Sequence, residues 1–406
     1  MRKTVRLLFA VSSLLCTAIF GMLIYENSAL PKSVTVSELS AFKVESAIPV
    51  SFKAAEETTT VGADSTKTRH VGVYRLFGLF PIDTAEVSVS KNRTVEVLGT
   101  PFGLKLYTDG VLVVNTDGIE TKNGRVSPAK DCGIMKGDYI TAVNGVKINS
   151  GEQFQEEIKN TGGKQLKIFY NRSGKDYTTV LAPALSKKDG LYHLGLWVRD
   201  SCAGIGTLTF YDPEAKVTAG LGHGLCDSDT GKMISVNSGC LVGAEIISVE
   251  KSTNGMAGEL VGRFSDKRYS AALMNSELGV YAYGNAGYKS FGSYEVSHAS
   301  EVKIGNAKIL TTVKGQAPKL YDCEIISVSP GRKTRNFVVQ ITDKKLLEIS
   351  GGVVQGMSGS PIFQNGKLAG AMTHVFVDDP QKGYGIFAQT MLSEASNATK
   401  IIKNAS

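Results

Sequence analysis

The chain has 406 residues, 42% hydrophobic and 20% charged, with a formal net charge of +7 at neutral pH. That is the composition of an ordinary globular protein with room for two domains beyond any tail. The 45 Lys and Arg residues are scattered rather than striped, which argues against a nucleic-acid surface.

Arg2, Lys3 and Arg6 precede an uncharged apolar run over residues 7–25. As a helix, such a run spans about 30 Å, the thickness of a bilayer core. The positive charge before it predicts a cytoplasmic N-terminus, with the rest of the chain beyond the membrane. A cleaved signal peptide is the rival reading, although no clear small-x-small site follows. Residues 26–90 are rich in Ser, Thr, Lys, Glu and Ala and read as an extracytoplasmic spacer, with a strand or two near residues 71–80. Such a segment is also an accessible protease target. Of the six cysteines, Cys16 lies in the apolar run, and the other five match no zinc spacing. A Cys226–Cys240 disulfide and buried free thiols both remain open. No metal or cofactor is expected.

Residues 91–185 form the next unit. The motif S-P-A-K-D-C-G-I-M-K-G-D-Y-I-T-A-V-N-G, followed by a helix over residues 150–160, resembles a PDZ domain. In that family a peptide adds as a strand beside a glycine-hydrophobic loop. The resemblance implies peptide contacts at Phe102, Gly103, Leu104, Lys105 and Leu106, in a segment that lacks the first glycine of the family loop.

Residues 186–406 are a succession of short apolar runs broken by Gly, Asn and Asp, the pattern of a β barrel or sandwich, and end in a helix. The stretch G-G-V-V-Q-G-M-S-G-S-P-I-F-Q-N-G presents Ser358 on a glycine-rich turn before a hairpin. A serine hydroxyl needs a base to take its proton and backbone N–H groups to receive the oxyanion. Glycines at 356 and 359 would let the Gly356 and Ser358 amides serve as those donors. His223, in A-G-L-G-H-G, is the candidate base, because its glycine setting mirrors that of Ser358; His193, His298 and His374 are less distinctive. Asp343, at the end of N-F-V-V-Q-I-T-D, is the candidate orienting carboxylate, with Asp227, Asp229, Asp378 and Asp379 as rivals. The order His223, Asp343, Ser358 is that of the chymotrypsin arrangement, although the Asp–Ser spacing is shorter.

Together these features resemble the stage IV sporulation protein B peptidases, with Ser358 as nucleophile, His223 as base and Asp343 as third member. The resemblance implies a mainly β fold with some α structure: a membrane anchor, a PDZ domain and a C-terminal chymotrypsin-like β-barrel serine peptidase. It also implies self-cleavage within residues 26–90, and release into the space between the forespore and mother-cell membranes. There the peptidase would cut a membrane-bound inhibitor of an intramembrane metalloprotease and so activate processing of a sigma factor. An anchored PDZ scaffold with a non-catalytic β domain, and a general envelope quality-control protease, are the alternative readings.

Overall fold

The computed structural model describes residues 13, 17, 21, 30, 33–36, 49–61, 66–90, 93–227, 229–234, 238–285 and 287–405. The expected anchor, residues 1–25, lies outside the described residues apart from three isolated positions. Among the described residues no helix is long and apolar enough to cross a membrane. The chain divides into two units, residues 1–93 with 296–303 and residues 94–295 with 304–406.

In the first unit, β1 (Val50–Val61), β2 (Thr66–Leu76) and β3 (Phe80–Ser90) form an antiparallel meander, and Ser33–Val36 pairs in parallel with β3. The region expected as a spacer therefore carries a sheet. Its Thr and Val residues are β-branched and favour extended backbone even where the composition is polar. Alternation along β2 turns Tyr74 inward, edge-on to Phe52 at 5.8 Å.

The second unit is built on two strands that each run through two domains: β5 (Pro101–Thr116) and β9 (Leu196–Asp212). β4 (Thr94–Val97) precedes them. Between them come α1 (Pro128–Asp131), β6 (Tyr139–Val143), α2 (Gly151–Asn160), β7 (Leu166–Arg172) and β8 (Lys175–Leu181). Ser150 caps α2 by accepting the Gln153 amide at 3.1 Å, as an N-cap serine should. Phe154 and Ile158, four residues apart on one helix face, then pack into a core with Val113, Ile140, Val143 and Ile168. This is the PDZ domain, and its sheet includes only the second half of β5 and the first residues of β9.

The first half of β5 belongs elsewhere. After β9 come β10 (Val217–Gly220), β11 (Ser238–Glu250), β12 (Glu259–Ser276) and β13 (Gly279–Tyr283). Ladders connect β5 to β11, β11 to β12, β12 to β13, β13 to β10 and β10 to β9. The β9–β5 pairing closes this ring of six strands. A second closed barrel is formed by β14 (Gly305–Thr311), β15 (Lys319–Val328), β16 (Phe337–Ile341), β17 (Pro361–Gln364), β18 (Lys367–Val375) and β19 (Lys382–Phe387). Helix α3 (Lys344–Ser350) links β16 to the Ser358 loop, and α4 (Ala388–Ala405) closes the chain. Cys132, Cys226, Cys240 and Cys323 are free thiols, so Cys226 and Cys240 form no disulfide.

The PDZ contacts expected at Phe102–Leu106 are corrected by this topology. Residues 102–106 are hydrogen-bonded to β9 on one edge and to β11 on the other, so no peptide strand can add there. Phe102, Leu104 and Leu106 are buried in the core of the first barrel with Leu208, Leu221 and Leu241. A Cβ at Gly103 would overlap the Phe264 ring, and Lys105 lies 6.0 Å from that ring's centre.

Candidate active site

Ser358 is placed by a chain of local backbone requirements. α3 ends at Gly351, which is left-handed (φ 69°), and the loop turns again at Gly356 and Gly359, both at φ 94°. Only glycine adopts these angles without strain. The first barrel then clamps the loop. Thr207 donates its amide to the Ser358 carbonyl (2.8 Å) and its hydroxyl to the Gly356 carbonyl (2.9 Å), while the Thr209 hydroxyl donates to the Gly359 carbonyl (2.8 Å). Ser360 is buried and donates to the Thr311 hydroxyl at 2.9 Å. Among the described residues, neither the Gly356 amide nor the Ser358 amide has an internal acceptor. That leaves both available to a substrate oxygen.

His223 stands on the matching loop of the first barrel. β10 is buried along its length, and two consecutive left-handed residues, Leu221 (φ 65°) and Gly222 (φ 68°), turn the chain so that the imidazole leaves the barrel. A Cβ at Gly222 would lie 2.9 Å from Ile386 and 3.0 Å from Thr373, both in the second barrel, which shows how closely the two barrels approach here. The His223 Nδ1 lies 2.9 Å from the Gly224 carbonyl oxygen. A carbonyl only accepts, so Nδ1 carries the proton and Nε2 is the basic nitrogen. Burial holds the imidazole pKa below its ordinary 6.5; the bond to Gly224 opposes this, and the Arg335 guanidinium adds to it.

Ser358 and His223 line one cleft of about 960 Å³. His374, from the end of β18, lines it too, with its ring 4.6 Å from that of His223. Burial, the neighbouring imidazole and Arg335 push the His374 pKa down to about 4, and its buried Nδ1 has no hydrogen-bond partner among the described residues. The Ser358 hydroxyl donates to the Thr373 carbonyl at 2.6 Å rather than to either imidazole. Beside it, His374 and Val375 pair, among the described residues, only with β19, which leaves the other edge of β18 for an added strand. A general base must be neutral to accept a proton, so with His223 in that role replacing Arg335 with glutamine should raise the His223 pKa and move the acid limb of the rate profile to higher pH. An unmoved or lowered limb would refute the charge argument.

The remaining candidates lie elsewhere. Asp343 does not join Ser358 and His223, which corrects the expected third member. It is the N-cap of α3: Oδ1 accepts the Lys345 and Leu346 amides at 2.9 and 3.1 Å, and Oδ2 the Asp322 amide at 3.3 Å. An aspartate immediately before a helical run is an N-cap signal readable in D-K-K-L-L-E. Asp227 and Asp229 are both paired with Arg199 at 2.7 Å, and Asp379 with Lys382 at 2.9 Å. His193 pairs with Asp189 at 2.8 Å, and His298 lies in the other unit.

His193 marks a second cleft, of about 710 Å³, between α2 and the first residues of β9. On this side Leu196–Val198 pair, among the described residues, only with β5 and leave an edge on the cleft that α2 lines. The loop before that edge, Leu194-Gly195-Leu196, turns at Gly195 (φ 75°). It is a hydrophobic-Gly-hydrophobic sequence whose signal was present in Y-H-L-G-L but is matched by the similar F-G-L at residues 102–104.

Among the described residues no cluster of side chains could hold a metal ion. The SpoIVB peptidase S55 model matches residues 190–392, half of the chain, and a PDZ model matches residues 125–172. The zinc metalloprotease RasP of Shouchella clausii is 40% identical over 77 residues, 19% of this chain and 18% of that protein. A putative zinc metalloprotease of Lactococcus lactis is 40% identical over 70 residues, 17% of this chain and 16% of its own length. The chain thus spans less than a fifth of the length of these relatives. Among solved structures, the PDZ domain of an SdrC-like protein from Listeria monocytogenes aligns at 25% identity and a TM-score of 0.19, over 22% of this chain and 87% of that one. The inactive form of Rv3671c protease aligns at 15% identity and a TM-score of 0.29, over 48% and 84%. With half its length matched to one peptidase model and a PDZ match beside it, the chain belongs to the SpoIVB peptidase S55 family of serine peptidases.

Proposed function

We propose that Ser358 is the nucleophile and His223 the general base of an endopeptidase that cuts an extended polypeptide laid along the open edge of β18. His223 Nε2 takes the Ser358 proton as the hydroxyl attacks the peptide carbonyl, and the Gly356 and Ser358 amides receive the oxyanion. The imidazolium then protonates the leaving amine, and water hydrolyses the acyl-enzyme by the same route. The observation that carries this reading is the convergence of Ser358 and His223 on one cleft beside two backbone amides without internal acceptors.

Family membership supports a reading of the biological role. We infer a peptidase of sporulation signalling, tethered through its N-terminal segment, that trims itself and cuts the extracytoplasmic part of a membrane-bound inhibitor of an intramembrane metalloprotease. Its place is the space between the forespore and mother-cell membranes. The cleft between α2 and β9 is the site where the PDZ domain would hold a peptide as an added strand, from its own chain or from the substrate.

The test is to follow the mass of the full-length chain in membranes, as wild type and as Ser358→Ala. The expected result is shortening within residues 26–90 in the wild type alone. Equal shortening of both would exclude Ser358 as nucleophile, and a wild type that stays whole and cuts no added polypeptide would favour a scaffold.

A further inference from the structure

The His223 imidazole has a problem that the residues described so far do not solve. It must become positively charged during the reaction, yet three cations, Arg332, Lys333 and Arg335, line the cavity of about 670 Å³ that it shares with His374. A buried imidazolium among cations needs an anion to stabilise it. Asp343 is committed to capping α3 and does not line this cavity. Among the cavity's lining residues one carboxylate remains, Glu277.

Glu277 is well placed. It sits in the tight turn between β12 and β13, and the two residues before it touch the His223 loop directly. The Asn275 side chain bonds the Leu225 amide (2.7 Å) and the carbonyls of Leu225 and Ile234 (2.9 Å each). A Cβ added at Gly224 would fall 2.9 Å from the Ser276 carbonyl oxygen. The strand end that carries Glu277 is therefore tied to the residues immediately after His223. In this structure the carboxylate is bonded to Lys333 Nζ at 2.6 Å, in an ion pair with both side chains more than half exposed. Solvent-exposed pairs of this kind contribute little, so breaking this one costs little. Nδ1 of His223 meanwhile rests on the Gly224 carbonyl, and the Ser358 hydroxyl on that of Thr373.

We propose that Glu277 is the carboxylate that positions His223, replacing the Gly224 carbonyl at Nδ1–H in the reacting enzyme, and that Lys333 restrains it in the state seen here. Glu277 acts through His223 and does not touch substrate. The inference rests on the assignment of Ser358 as nucleophile and His223 as base.

The test is the rate at which a fluorophosphonate, a serine-directed probe, labels the full-length chain across the pH range. The chains compared are wild type, Ser358→Ala, Glu277→Gln, Glu277→Asp, Lys333→Met and His374→Gln, each checked for fold by circular dichroism. Losing the orienting carboxylate of a serine peptidase slows reaction by up to about 10⁴-fold, and Glu277→Gln is expected to slow labelling by about 10²-fold or more on that scale. Its acid limb should also move to lower pH, because a nearby carboxylate raises the imidazole pKa and glutamine does not. Glu277→Asp should recover part of the rate, and Lys333→Met should label faster than wild type. Glu277→Gln labelling at wild-type speed would overturn the proposal. So would equal slowing in Glu277→Gln and Lys333→Met, which would reduce the pair to a structural tie, or a loss confined to His374→Gln, which would give the positioning role to the second imidazole. Equal labelling of wild type and Ser358→Ala, or none in wild type, would instead remove the nucleophile assignment beneath it.

Discussion

Replacing His223 with alanine is expected to reduce the rate of peptide-bond cleavage by on the order of 10⁴-fold, with KM little changed. The neighbouring His374→Ala should retain most of the activity. Two imidazoles 4.6 Å apart are both candidates for a base by distance alone. They differ in what holds them. His223 has its tautomer set by the Gly224 carbonyl, which leaves Nε2 as a defined lone pair, whereas the buried Nδ1 of His374 has no partner to select a tautomer. Because base and nucleophile act as a unit, the double variant His223→Ala with Ser358→Ala should be no slower than either single one. Initial rates on a fluorescent casein substrate would settle the matter. A large loss in His374→Ala with a small one in His223→Ala would reverse the assignment.

The largest structural effect is expected at Gly359. A Cβ there would overlap the Thr207 carbonyl oxygen and lie 2.6 Å from the Leu221 amide nitrogen, and φ is 94°. The obstacles are backbone atoms, one on β9 and one in the His223 loop just after β10, so no side chain can swing aside. Gly359→Ala should therefore cost about 4 kcal/mol or more, in the range that marks a specific structural conflict. It should also abolish fluorophosphonate labelling. Gly366→Ala is the matched control: φ is 77°, but nothing lies within 4 Å of the added carbon. Only the left-handed strain remains, about 1–2 kcal/mol. Thermal melts of the two variants decide the point, and similar melting temperatures would show that the Ser358 loop can relax away from the first barrel.

What the sequence by itself determined are the features whose cause is local. The glycines around Ser358 and His223 mark positive-φ turns, and the structure has them at Gly222, Gly356 and Gly359. The PDZ signature likewise marks the turns and the helix cap at Ser150. Each of these is a requirement of a few consecutive residues and is written in those residues. Long-range pairing decided the rest. F-G-L at 102–104 and L-G-L at 194–196 both have the local chemistry of a peptide-binding loop, and only the ladders from β5 to β9 and β11, about 100 and 140 residues away in the chain, bury the first and leave the second beside an open strand edge. Asp343 and Glu277 are both carboxylates at element ends. Folding ties one to the amides of its own helix and of Asp322, and sets the other in the cavity that holds His223. The N-cap role of Asp343 is legible in D-K-K-L-L-E, but no local pattern places Glu277 beside His223, because a side chain's partner across a barrel depends on which strands close the ring.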